Sequence, residues 1–125
     1  MEPIKIQTEI ELSQEDVDDI MCTALEGGVN YWCKRATIVK CDKLPKDLEY
    51  TSQAISRGLS VLLEDEDGEW EKDTASYTLT LDRLKIGLRL YGQTHGFAHP
   101  TVENIDASAA DSIIQFSLFG REIYG

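Results

Sequence analysis

The 125-residue chain is poor in positive charge, in cysteine and in long apolar runs. Twelve Lys and Arg stand against 23 Asp and Glu, a formal net charge of −11. Such a surface repels nucleic acid and acidic membranes unless its bases cluster, so direct nucleic-acid binding is not expected; a basic partner surface would be attracted. The three cysteines, Cys22, Cys33 and Cys41, are odd in number and contain no CxxC pair. That argues against a secreted disulfide scaffold and suits a reducing cytosol. No apolar run is long enough to span a bilayer, and no segment has the n-region and h-region of a signal peptide. The expectation is a soluble, cytoplasmic protein with no membrane contact.

Motifs of common chemistry are also missing. There is no P-loop, GxGxxG or GxSxG, and no internal repeat. Cys22, Cys33, Cys41, His95 and His99 are ligand types, but their spacing does not fit a zinc site, which pairs cysteines two to four apart. The acidic stretch EDEDGEWEKD, residues 64–73, has seven acids and one lysine. Its Gly68 comes too early for an EF-hand loop, and an acidic hairpin tip that discourages edge pairing fits better. The sequence therefore predicts no metal and no cofactor.

What is present is enough for one domain with its own core. Residues 3–12, PIKIQTEIEL, alternate as a half-buried strand. Ser13 opens S-Q-E-D, a helix cap with acids in the first turn. Val17, Ile20, Met21, Ala24 and Leu25 form one apolar stripe, and Gly27 is placed to stop the helix in a left-handed conformation. Tyr31, Trp32, Cys33, Thr37, Ile38 and Val39 read as a second strand. Residues 50–57 suggest a short helix with Tyr50, Ala54 and Ile55 inward and Gly58 as its stop. Residues 59–63 and 77–81 pattern as strands joined by a turn at Asp67-Gly68. Asp82 would cap a helix over 83–91, and residues 92–106 read as irregular. Ile105-Asp106 opens a last helix with Ala110, Ile113, Ile114, Ser117 and Leu118 on one stripe, ended by Gly120. The tail REIYG would lie along a sheet edge. Together these predict an α+β fold: a mainly antiparallel sheet of four to five strands, two long helices and one or two short ones.

Five residues are candidates for binding. Tyr31 and Trp32 are adjacent, so on a strand they face opposite sides: either both are core, one of them under a helix, which is the favoured expectation, or one is left at a rim, where it can stack on a base or anchor a partner. Arg57 precedes a turn glycine, where its fork could meet a phosphate or carboxylate; it could equally complement its own helix end. Arg83 leads the basic group Arg83-Lys85-Arg89. His95, in the loop GQTHGFAHP, is the best general base. No catalytic set can be assembled around it, because no partner is identifiable in sequence.

The segments DIMCTALEGGVNYWC, ISRG, LTLDRLKIGLRLY and ADSIIQFSLFGREIYG together resemble a family of small bacteriophage and prophage proteins, mainly of Firmicutes, with no assigned reaction. The resemblance covers roughly residues 16–125. It implies an accessory factor, in the cytoplasm of a bacterial host, that counters host defence. The leading expectation is a non-enzymatic binder of a defence protein such as a CRISPR effector. The alternative is an oligomeric sponge for a cyclic-nucleotide or ADP-ribose-type signal, with Tyr31 or Trp32 stacking the base and Arg57 or Arg83 holding phosphates. A small enzyme using His95 comes third.

Overall fold

The computed structural model describes residues 11–39, 41–42, 44–65, 75–95 and 105–125. The expected strand at 3–12 falls almost wholly outside that set, as do the Asp67-Gly68 turn and His99. Helix α1 spans Gln14–Thr23 and begins as its sequence requires. The Asp16 amide donates to Ser13 Oγ (3.1 Å) and the Ser13 amide donates to the Asp16 carboxylate (2.9 Å), a reciprocal cap that satisfies two end donors. Val17, Ile20 and Met21 are its buried face.

The chain does not stop at Gly27. It widens into a π-helical turn over Ala24–Gly28, with the Val29 amide donating to the Ala24 carbonyl at 3.0 Å. Gly27 is not left-handed. The glycine with a steric role is Gly28: a Cβ there would stand 2.5 Å from the Ala107 carbonyl oxygen. Tyr31 and Trp32 then lie in a turn, not a strand, closed by amides of Trp32 and Cys33 donating to the Val29 carbonyl.

Three antiparallel strands follow among the described residues: β1 (Arg35–Ile38), β2 (Val61–Asp65) and β3 (Ala75–Leu79), in the order β1-β2-β3. Ile38 faces Val61, which faces Leu79, and Ala36 faces Leu63, which faces Tyr77. These alternate residues join the core, while Thr37, Glu64, Ser76 and Thr78 lie on the other face. The sheet is thus smaller than the four to five strands expected. The tail, Arg121 to Gly125, pairs with none of the described strands.

Between β1 and β2, two short 3-10 turns (Thr51–Gln53 and Ile55–Arg57) replace the expected helix. Ala54 and Ile55 are buried as the pattern demanded, and Gly58 is left-handed at φ 82°. Tyr50 instead faces outward, 65% exposed, because it precedes the first turn with an extended backbone.

Helix α2 (Leu81–His95) is capped by Thr80, whose Oγ1 accepts from the Arg83 amide; Asp82 sits inside the first turn. It continues past Gly92 to His95, which stacks one turn above Tyr91 (4.5 Å between centroids). Helix α3 (Ala107–Phe119) matches expectation at both ends, with Asp106 accepting from the Ala109 amide and Gly120 left-handed at φ 72°. The two helices cross at Gly87, where any side chain would collide with Ser117 and with the Ile113 carbonyl. The core forms between the helices and the inner sheet face, around Ile20, Met21, Leu63, Leu79, Leu84, Ile113 and Ile114.

Candidate functional site

Besides three serines, helix α3 carries two polar residues four apart, Asp111 and Gln115, both buried. That spacing puts them one above the other on one helix face. The turn at 29–33 lies against that face and brings both of its aromatic side chains to the Asp111 carboxylate. Trp32 Nε1 donates to Oδ1 at 2.8 Å and the Tyr31 hydroxyl donates to Oδ2 at 2.6 Å. Gln115 Nε2 donates to Oδ1 (3.0 Å), while the Tyr31 oxygen lies 3.2 Å from the same nitrogen. The indole, phenol and amide that meet this carboxylate are all neutral donors, which is how a buried polar group avoids the penalty of an unmade bond.

Gln115 also holds the tail. Its Oε1 accepts from the amides of Ile123 (2.7 Å) and Tyr124 (2.8 Å). The Tyr124 ring lies parallel on the Trp32 ring, 4.6 Å between centroids with 1° between planes. Its hydroxyl donates to the Asp65 carboxylate at 2.8 Å, so the Tyr77 hydroxyl, 3.0 Å away, is left to donate to the Tyr124 oxygen. Burial, then the contacts with Tyr77 and Asp65, raise the Tyr124 phenol. The tail is thus pinned by one amide side chain and one stacked ring, and not by a sheet edge.

The two adjacent aromatics divide between core and surface, the less favoured of the two sequence expectations, and not on a strand. Trp32 is 3% exposed and Tyr31 is 51% exposed. The Tyr31 hydroxyl is anchored and its ring is open. Burial of that hydroxyl, then its bond to Asp111, pushes the phenol up to about 12.

Tyr31, Gly27 and Gly28 form one wall of an open hollow of about 410 Å³. Its floor includes Ser108, Asp111 and Ser112 of α3, and Glu122, Tyr124 and Gly125 of the tail complete the lining. No Lys or Arg is among the residues that line it.

The other sequence candidates lie elsewhere. Arg57 is closed on its own neighbourhood: it donates to Asp47 (3.0 Å), to the Gln53 carbonyl (3.0 Å) and to Asp18 (3.5 Å). The last carbonyl contact is the helix-end role weighed for it in sequence. Arg83 donates to the Thr78 carbonyl at 2.9 Å. His95 is on the last turn of α2, not in a loop, with Nε2 3.5 Å from Glu122. So Tyr31 and Trp32 are brought together, His95 touches the tail from the far side, and Arg57 and Arg83 are not among the lining residues.

Sequence reasoning missed Asp111, Gln115 and Tyr124. The available signal was an acid and an amide at i and i+4 in the apolar run ADSIIQFSLF. Among the described residues no three potential metal ligands converge. Burial raises the thiols of Cys33 and Cys22, the opposite of what an activated nucleophile needs. No described helix is long and apolar enough to cross a membrane. Comparisons with protein-family models, with curated proteins and with solved structures find no match.

Proposed function

We propose that this protein is a non-enzymatic, phage-encoded accessory factor that counters host defence by docking its acidic surface on a basic face of a defence protein, such as the nucleic-acid groove of a CRISPR effector. The observation that carries this reading is the character of α1 and its flanks. Residues 11–33 include six acids, Glu11, Glu15, Asp16, Asp18, Asp19 and Glu26, and not one Lys or Arg. Glu11, Glu15, Asp19 and Glu26 are exposed. Glu15, Asp19 and Glu26 recur at i, i+4 and i+11, so they share one side of the helix and its π extension. A face of one sign steers a protein toward a surface of the other and speeds association. The resemblance to phage accessory proteins supplies the setting.

The sponge reading ranks second. It needs an arginine beside an open aromatic ring, and the hollow next to Tyr31 is lined by carboxylates, hydroxyls and glycines instead.

The test is co-expression in bacteria that carry an active CRISPR effector. The expected result is restored phage plaquing, with the effector co-purifying at low salt and released at high salt. Unchanged interference together with no salt-sensitive complex would overturn the reading.

A further inference from the structure

Four features of the hollow beside Tyr31 point to one kind of occupant. Its aromatic wall is a ring half open to solvent, with its hydroxyl held by Asp111 at 2.6 Å. Donating that proton toward a carboxylate makes the ring richer in electrons, which strengthens attraction of a cation to its face. Among the described residues the Asp111 carboxylate accepts from neutral donors, which do not neutralise its charge. Glu122 supplies a second, exposed carboxylate to the same lining. Ser108 and Ser112 add hydroxyls along the floor, and Gly27 and Gly28 leave room by having no side chains.

The one feature that would favour an anion is the start of α3. It is already answered by the Asp106 side chain, which accepts from the Ala109 amide.

We infer that the hollow takes the guanidinium of an arginine side chain presented by a basic partner, stacked on the Tyr31 ring and paired with Glu122. A planar guanidinium suits this geometry better than an ammonium, because it can stack on a ring face while its edge donates to a carboxylate and to hydroxyls. This rests on the acidic-docking reading and assigns that reading its specific contact. The His95 imidazole already lies 3.5 Å from Glu122 and is the neighbour an incoming guanidinium would meet there.

The experiment is a titration of the full chain with acetyl-Gly-Arg-Gly-amide, followed by backbone amide NMR shifts at low salt, beside the same peptide carrying neutral citrulline. Shifts should concentrate at Gly27–Tyr31, Ser108, Ser112 and Glu122–Gly125, and citrulline should produce none. Tyr31→Leu and Glu122→Gln should each weaken binding by about tenfold, the size of one cation–π or one charge-assisted contact. Glu122 is exposed, so its variant keeps the test valid if Tyr31→Leu unfolds. Shifts spread along the acidic side of α1, equal binding of citrulline, or wild-type affinity in both variants would overturn the inference. In those cases a salt-sensitive effector complex that persists in both variants leaves the docking reading standing; its absence in the wild-type protein removes both.

Discussion

Arg57 and Asp111 are each folded against the body of the protein, with partners of opposite kinds. Arg57 meets two carboxylates and a carbonyl, all drawn from residues 18–53. Asp111 meets a phenol, an indole and an amide, two of them about 80 residues away in the chain. The first cluster is held by charge near the surface, where Asp47 is 72% exposed and where solvent and salt weaken attraction. The second is held by directed hydrogen bonds next to the core, where a lost partner leaves a donor with no water to replace it. The first can be removed with small consequence; the second positions a turn, a helix and the tail together.

The largest test of that contrast is Trp32→Ala. It removes a buried indole, its stack on Tyr124 and a donor to Asp111, and should cost on the order of 3–5 kcal/mol in urea unfolding. A loss under about 1 kcal/mol would mean the ring is not core. Next is Asp111→Leu, which leaves the indole, phenol and amide donors unpaired at about 1–3 kcal/mol for each that stays dry. Its loss should persist in high salt, since the broken bonds are to neutral groups.

Arg57→Gln should cost less than either. Its effect should shrink as salt rises, because the native attraction it removes is already screened there. An Arg57 variant as damaging as Asp111→Leu, at all salt concentrations, would break the contrast.

The smallest effect is alkaline. With the Tyr31 phenol pushed up to about 12 from 10.0, the folded protein holds this proton more tightly than the unfolded chain. The stability it contributes is whole below pH 10 and is lost as pH rises toward 12. Melting temperatures of the wild type should therefore fall more steeply over that window than those of Tyr31→Phe. Parallel slopes would show that the hydroxyl's bond to Asp111 does not matter to stability.

Much of the helical frame was legible in sequence because its signals are local. Ser13 and Asp106 bond amides three residues ahead, and Gly58 and Gly120 supply left-handed backbone at a stop. The apolar stripes of α1 and α3 were legible for the same reason: a 3.6-residue period needs only its own segment. The α2 cap was displaced by one short step, since Thr80 and Asp82 are both competent caps and only Thr80 meets the helix at its first turn.

The candidate site was half legible. Tyr31 and Trp32 stood out by composition, but as neighbours on a strand and with both rings expected in the core, so the exposure of Tyr31 was not foreseen. The β-forming character of YWC was overridden because Asp111 draws both side chains to one carboxylate, which an extended strand cannot present. Arg57 also stood out, and its closure on Asp47 and Asp18 depends on where three separate segments meet.

By itself the sequence determined the charge, the N-terminal caps of α1 and α3, two apolar helical faces and the α+β class, all properties of composition or of a few consecutive residues. The tertiary structure alone decided that Tyr31 is open and Trp32 covered, that Gln115 and Trp32 hold the tail, and that the hollow beside Tyr31 is lined by carboxylates and not by arginines. Those outcomes depend on which distant groups satisfy one another's hydrogen bonds once water is excluded, and no local pattern encodes that.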